Sequence, residues 1–501
     1  MPIDVVLTTN GLYIDGEIGD NIETLKKQLT LTYTSSIGDK KYTINRKLFQ
    51  KKGPITFFSR FSGVSNMLRA LNYEVNFVNR LPEIAPQKLS VSHLQSQNDK
   101  PPLVLYNNQK VVHDYILNSI FNEERRLRGV ASCVLELPTG AGKTYTAGGI
   151  IKTLNSRFIT NFGRAINVLI AVPNKIILAE WRKMFHNFDL FDGFDIIIGE
   201  YSSIKKKDGN IVIITAKSLI KAKLFDMKYW EYLRKFDFVI YDEIHNYATD
   251  SYQEVFWRTC THYNLGLTAT PDERLDQMDE LYIKHIGRLI KSSDIPGYEQ
   301  QAPIPWKGEV IIVKYYGPIQ YTHDIKNAEG WTAVQPMQKQ FASDPYRNNL
   351  IFKFSNQLLE RHKNTFLFGE HRDFLDLIAA KLNEIAGKII CGVLKGGVKE
   401  SEVAEIIKLP IIGITYCYGK EGVSIPKMTA IMFVQSRKNK MNQIIGRILR
   451  AGGNPEETRE IYDIVDQRTS LKSQLQTRKE IYRQKNFAIR EIKVKYQEFQ
   501  F

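Results

Sequence analysis

The chain has 501 residues, of which 43% are hydrophobic and 25% charged, and carries a formal net charge of +15. That length exceeds what one hydrophobic core serves and predicts two to four domains; no apolar stretch reaches the roughly 20 residues that span a bilayer. The basic excess favours a polyanionic partner, nucleic acid or a membrane surface, once an independent motif points the same way. The opening segment MPIDVVLTTNGLYIDGEIGD lacks a basic start followed by an apolar run, so no secretory signal is expected. Four widely spaced cysteines (Cys133, Cys260, Cys391, Cys417) each lie in or beside an apolar run, which predicts buried, reduced thiols and a cytoplasmic protein.

Residues 1–95 form a first unit, a small α+β domain. The alternating segments LTLTYTSS and KKYTINRKLF predict antiparallel strands, VSNMLRALN sets Val64, Met67, Leu68 and Leu71 on one helical face, and EVNFVNRL predicts a further strand. The polar, proline-terminated stretch His93–Pro102 suits a linker. From Pro102 onward short apolar runs recur: SCVLEL, NVLIAVP, NIVIITA, DFVIYDE and LGLTATP. The helix NKIILAEWRKMFHNF between two of them places Ile177, Trp181, Met184, Phe185 and Phe188 on one face. Runs apolar on both faces are what a parallel sheet covered by helices requires. The pattern pauses at Ile295–Gly308 and resumes with EVIIVKYY, a helix PYRNNLIFKFSNQLLERH, then NTFLFGE, KIICGVL, PIIGITYC and TAIMFVQ. Two successive α/β domains are therefore expected at 96–295 and 296–501, the second ending in one long basic helix with Leu471, Leu475, Ile481 and Tyr482 on or near an apolar stripe, which suits docking on that domain, with nucleic-acid contact as the alternative.

Chemistry concentrates at a few motifs. In LELPTGAGKTYTAGGI a strand ends near Leu137, a glycine-rich turn follows, and Lys143 and Thr144 open a helix. Backbone amides of the loop Thr139, Gly140, Ala141 and Gly142 approach phosphate oxygens, the helix dipole favours the anion, Lys143 reaches the terminal phosphates, and Thr144 ligates Mg²⁺. A hundred residues later, roughly where such proteins hold their Mg²⁺ shell, FDFVIYDEIHN ends an apolar run in Asp242, Glu243 and His245. Alone, that cluster suits metal ligands, a general base or a strand end with a cap. Beside a phosphate loop, Asp242 becomes a Mg²⁺ ligand and Glu243 the group that orients and deprotonates water. Zinc would need further ligands, and His262 is the one nearby candidate. Farther on, Gln443, Arg447 and Arg450 fall at i, i+4 and i+7 and would share one face of a helix.

Lys143-Thr144, the Asp-Glu-Ile-His box and LTATP, with TYCYGKEGVSIP and QIIGRILR farther on, resemble the core motifs of superfamily 2 helicases and translocases. The motif spelling is similar to phage UvsW-type branch-migration helicases and to XPB-like and RecG-like motors. This resemblance implies two tandem RecA-like parallel-sheet domains behind the small α+β domain, with ATP and Mg²⁺ between the two sheets. It implies Gln109 as adenine reader, Gly422 at the nucleotide, and Gln443, Arg447 and Arg450 as catalytic groups stabilising charge at the γ-phosphate. His245, Thr268 and Thr270 would couple nucleotide state to movement. Tyr416 departs from the aspartate that many relatives carry after the motif-five threonine.

The same resemblance implies DNA as partner, forked, branched or duplex, with the protein a monomer, and host cytoplasm if the gene is a phage's. Pro173, Asn174, Thr215, Thr415 and Gly419 are the implied strand contacts. In the first unit Arg46, Lys47, Lys51, Lys52 and Arg60 interleave with Phe49, Phe57, Phe58 and Phe61, which suits either a DNA-binding module, with Lys51, Lys52 and Arg60 on phosphate, or a small core with a solvated rim. The expected activity is ATP-dependent DNA unwinding or branch migration in recombination, repair or replication. A duplex-translocating motor of a restriction-type complex, an RNA helicase and an ATP-switched nucleic-acid binder are the alternatives.

Overall fold

A computed structural model of the chain describes residues 2–37, 40–84, 100–191, 196–201, 206–221, 232–249, 251–269, 279–301, 306–419, 425–438, 441–449 and 456–499. The expected linker at His93–Pro102 lies mostly outside these residues. The chain divides into two compact units, Met1–Ala302 and Pro303–Phe501.

The first unit opens with β1 (Ile3–Thr8), β2 (Gly11–Asp15), the ribbon β3 (Thr30–Ile37) and β4 (Lys40–Lys47), then β5 (Phe49–Lys52), β6 (Ile55–Phe58) and β7 (Val75–Asn79). Five of these build a mixed sheet ordered β5-β6-β2-β1-β7, in which β1 pairs antiparallel with β2 and parallel with β7. The helix Val64–Ala70 sends Val64 and Leu68 into its core, as the spacing predicts.

Hydrogen bonds tie this small sheet to the rest of the first unit. Arg60 is buried, and its guanidinium donates to the Gly129 carbonyl from Nε (2.9 Å) and Nη2 (2.7 Å) and to the Thr261 carbonyl from Nη1 (2.8 Å). The Phe61 amide donates to the Lys284 carbonyl (2.8 Å) and Asn79 Nδ2 to the Leu127 carbonyl (2.9 Å).

Next come β8 (Ser132–Glu136), β9 (Val168–Val172), β10 (Ile198–Tyr201), β11 (Lys206–Lys207), β12 (Ile211–Thr215), β13 (Phe238–Tyr241), β14 (Tyr263–Thr268) and β15 (Leu289–Lys291). They form one sheet ordered β11-β10-β12-β9-β13-β14-β8-β15, parallel except for the β10–β11 pair. Strands β9, β12, β13 and β14 are buried at every residue, the consequence of helical cover on both faces. Because β14 lies between β8 and β13, the carboxyl ends of these three strands meet, which is where open α/β sheets bind ligands.

The second unit holds β16 (Gly308–Tyr316), β17 (Thr365–Gly369), β18 (Cys391–Leu394), β19 (Ile411–Thr415), β20 (Ala430–Phe433), β21 (Arg459–Asp466) and β22 (Ala488–Lys495), all parallel, in the order β18-β19-β17-β20-β21-β16-β22. The expected long C-terminal helix is half right. A helix covers Gln474–Gln484 and docks through buried Leu475 and Tyr482, with Arg478 bonding both oxygens of Asp463 (2.8 and 3.0 Å). Asn486, at φ 55°, then breaks it, and the β-branched Ile489, Ile492 and Val494 run on as edge strand β22. Cys133, Cys260 and Cys391 are buried thiols, but Cys417 is exposed, because it sits on the outer side of the short helix Tyr416–Gly419 after β19. Among the described residues no helix is long and apolar enough to cross a membrane.

Candidate nucleotide site and nucleic-acid interface

Strand β8 leads into the loop Leu137–Gly142, and the 20-residue helix Lys143–Phe162 follows at once. The loop turns through left-handed backbone at Gly140 (φ 87°) and Gly142 (φ 82°), a conformation that costs a residue with a Cβ about 1–2 kcal/mol. The helix starts without a side-chain cap, so its first amides are available to an anion. A Cβ on Gly142 would lie 2.0 Å from Gln109 Nε2. Gln109 is buried against this loop, donating to the Ala141 carbonyl (3.3 Å) while its Oε1 accepts from the Tyr106 amide (3.0 Å). The expected adenine reader and the phosphate loop therefore touch.

At the end of β13, Asp242 is buried and Glu243 stands in left-handed backbone (φ 47°, ψ 53°), which non-glycine residues seldom adopt. Asp242 Oδ1 accepts from the Glu243 amide (2.9 Å), a local turn that holds this conformation. Glu243 lies between two cations or potential cations: Lys143 Nζ is 3.8 Å from Oε1 and His245 Nδ1 is 3.5 Å from Oε2. His245 Nδ1 also meets Thr268 Oγ1 (3.2 Å) at the end of β14, so two of the three expected coupling residues are in contact. Burial, and after it the Glu243 carboxylate, push the Asp242 carboxyl well above the ordinary range; Lys143 and a hydrogen bond from Trp181 oppose that rise. Adjoining carboxylates under such mutual repulsion are the oxygen donor set a hard divalent cation prefers, so Asp242, with Thr144 at the helix start, fits Mg²⁺ carried in with a nucleotide. His262 is not spare: its Nε2 meets the Pro82 carbonyl at 2.7 Å.

The implied strand contacts cap strand ends. Asn174 follows β9 and its Oδ1 accepts from the Ile176 (2.9 Å) and Ile177 (3.1 Å) amides, with Pro173 just before it. Thr215 ends β12, is buried, and accepts from the Ser218 amide (3.3 Å). In the second unit Thr415 ends β19 and accepts from the Tyr418 amide (3.3 Å), while Gly419 packs so closely that a Cβ would meet Phe368 at 2.4 Å. Tyr416, standing where many relatives have aspartate, is buried between Phe368 and Phe433, and its hydroxyl donates to the Gln435 carbonyl (2.5 Å).

Gln443 and Arg447 are buried, but they do not share one continuous helix face. The α-helix Met441–Ile445 tightens into the 3₁₀ turn Gly446–Ile448, glycine being a poor helix former and 3₁₀ geometry common at helix ends. Arg450, Gly422 and Thr270 lie outside the described residues.

In the N-terminal sheet the basic stretch separates into two roles. Phe57, Phe58 and Arg60 are interior, so the expectation that Arg60 meets phosphate is corrected: its guanidinium is spent on two backbone carbonyls. Lys52 is half-buried, donates to Asn10 (3.1 Å), and is lowered by burial to about 8. Lys51 is exposed and lines an open groove of about 490 Å³ with Lys26, Lys27, Lys47, Phe49, Thr56 and Glu23, whose carboxylate pairs with Lys26 (2.7 Å). Sequence reasoning missed Lys26 and Lys27, which the helix Asn21–Gln28 carries to this groove. It also took Trp181 for a core residue alone. Trp181 is fully buried, yet its indole Nε1 donates to Asp242 Oδ2 at 2.8 Å. The signal was an indole N–H among aliphatics, a donor that needs a partner when buried.

Residues 102–273 match the family described as Type III restriction enzyme, res subunit. The chain is 26% identical over 416 residues to "Putative ATP-dependent RNA helicase QP509L" of African swine fever virus (isolate Pig/Kenya/KEN-50/1950), covering 79% of this chain and 75% of that protein. It is 29% identical over 192 residues, 38% of each chain, to "DNA 3'-5' translocase XPB2" of Sulfurisphaera tokodaii. Among solved structures, the DEAD-box helicase Mss116 bound to single-stranded RNA aligns over 82% of this chain and 81% of its own, with a TM-score of 0.55 and 14% identity, a likeness of fold. The res-subunit match thus covers strands β8 to β14 of the sheet that brings Lys143, Asp242 and Glu243 together.

Proposed function

We propose that this chain is a superfamily 2 helicase, a DNA motor that hydrolyses ATP to remodel forked or branched DNA. The observation that carries the ATP site is the meeting of Lys143, Asp242 and Glu243 at the joined ends of β8 and β13, with His245 bonded on to Thr268 at the end of β14. Lys143 and the loop amides hold the phosphates, and Glu243 orients water and accepts its proton. Asp242 and Thr144 would hold Mg²⁺, which would supply charge neutralisation at the phosphates. His245 and Thr268 transmit the state of that site to the strand ends. Arg447 and Arg450, by motif, stabilise charge at the γ-phosphate, and Gln443 and Gly422 bind beside them.

The DNA assignment is supported by the identity to a protein named as a DNA translocase, by the motif spelling shared with UvsW-type enzymes, and by the groove in which Lys27, Lys47 and Lys51 would track a phosphate backbone without reading sequence. RNA unwinding is the second reading, favoured by the longer match to a protein named as a putative RNA helicase. Stimulation of ATP hydrolysis by single-stranded DNA, blunt duplex, fork, four-way junction and RNA duplex separates the two. The DNA-remodelling account predicts the largest stimulation and unwinding on forks or junctions. A preference for RNA would overturn it.

A further inference from the structure

The helix Lys175–Asn187 begins at Asn174, a candidate nucleic-acid contact, and its second turn carries Trp181. Trp181 is fully buried and stacks on Phe185 (ring centroids 6.1 Å apart), so its indole is pinned. Phenylalanine or leucine would serve the apolar face equally well; the indole adds one donor and no acceptor, and it points at the carboxylate. The two oxygens of Asp242 are held differently. Oδ1 is fixed by the adjoining Glu243 amide (2.9 Å), and the Asp242 amide itself is bonded to the Ala171 carbonyl (2.9 Å). Oδ2 accepts from Trp181, a group on another element. A shift of that helix therefore moves the donor on Oδ2 and leaves the bond to Oδ1 in place.

We propose that Trp181 is a positioning residue for Asp242, and that it makes the Mg²⁺-bearing carboxylate answer to nucleic acid at the start of its helix. This rests on the nucleotide site proposed for Lys143, Asp242 and Glu243. Strand binding at Pro173 and Asn174 sets the helix, the helix sets the indole, and the indole orients the carboxylate toward the ion. Hydrogen-bond partners of metal-binding groups commonly govern about 10–100-fold in metal affinity.

The test uses the full chain and does not depend on turnover. Binding of a fluorescent, non-hydrolysable ATP analogue is followed by anisotropy through a Mg²⁺ titration, with and without oligo(dT) or oligo(U). The proposal expects the half-saturating Mg²⁺ concentration of the wild type to fall when a strand is added. In Trp181→Phe it rises about 10-fold and ceases to respond to the strand, while nucleotide affinity in EDTA is unchanged. Replacing Trp181 by benzothienylalanine, which keeps the ring shape and removes the N–H, gives the same result without disturbing packing. Phe158→Leu, which loosens the same core but packs on Phe162 and Tyr263, keeps the wild-type Mg²⁺ profile. A wild-type profile in the benzothienylalanine protein overturns the proposal, as does a loss in EDTA equal to that in Mg²⁺, or a wild type whose Mg²⁺ requirement ignores both strands. A wild type that binds no Mg²⁺-nucleotide overturns the nucleotide site itself, a result distinct from any of these.

Discussion

Arg60→Met separates an interior arginine from a phosphate contact. The side chain makes three donations to two carbonyls, Gly129 and Thr261, at 2.7–2.9 Å, and methionine fills the volume without restoring any. The Thr261 carbonyl keeps a second donor, Asn264 Nδ2 (3.0 Å), so only the Gly129 carbonyl is left bare; a buried carbonyl without a donor costs about 1–3 kcal/mol, and about 2 kcal/mol is expected. Unfolding entropy near ~2.1 cal/mol/K per residue, over the 302 residues of Met1–Ala302, converts this to a fall of ~3 °C in the melting midpoint of that unit. The assay pairs a thermal melt with nucleic-acid affinity over a salt series. Arg60→Met should melt early and keep the wild-type salt slope. Lys51→Ala should melt normally and lower the slope by about 1, the signature of one lost phosphate contact. An Arg60→Met protein with an unchanged midpoint and a reduced slope would refute the structural role.

Three further outcomes are expected. Gly142→Ala brings a Cβ to 2.0 Å from Gln109 Nε2 on left-handed backbone, and nucleotide affinity measured by fluorescence titration should fall at least ~10-fold, about 1.4 kcal/mol, given the ~1–2 kcal/mol conformational cost alone. Glu243→Gln should retain nucleotide binding and lose about 10²–10⁴-fold in stimulated turnover, measured by phosphate release. His285, enclosed by Phe256 and Trp257, is lowered by burial to about 3. Its folded pKa lies below the unfolded value of about 6.5, so the unfolded chain takes up a proton first, and stability present above pH ~6.5 is lost as pH falls. Between pH 7 and pH 5 this amounts to about 2 kcal/mol. Denaturant midpoints for His285→Phe should lose that part of the pH dependence.

The legible strands were those buried on both faces. Runs such as NVLIAVP and NIVIITA are apolar throughout and could be placed from sequence, as could the phosphate loop and the acidic strand end that follow two such runs. Strand β21, REIYDIVD, escaped although every residue in it is buried, because Arg459, Glu460, Asp463 and Asp466 interrupt the apolar pattern. Two of those charges are satisfied by partners 99 and 119 positions away, Glu460 by Arg361 and Asp466 by Arg347, which no local window contains, and Asp463 is met by Arg478 on the helix that follows. The same blindness hid the role of Arg60 and the bond from Trp181 to Asp242. In each case the residue type was visible and the partner, 61 or more positions away, was not.

The central claim, that the loop Thr139–Thr144 and the strand end Asp242–Glu243 form one ATP-hydrolysing site driven by nucleic acid, is tested most directly with Lys143→Ala. ATP hydrolysis is measured against increasing single-stranded and forked DNA, with DNA binding followed in parallel. The account predicts that stimulated hydrolysis disappears while DNA binding stays near the wild-type value. Stimulated hydrolysis that survives the loss of Lys143 would contradict it.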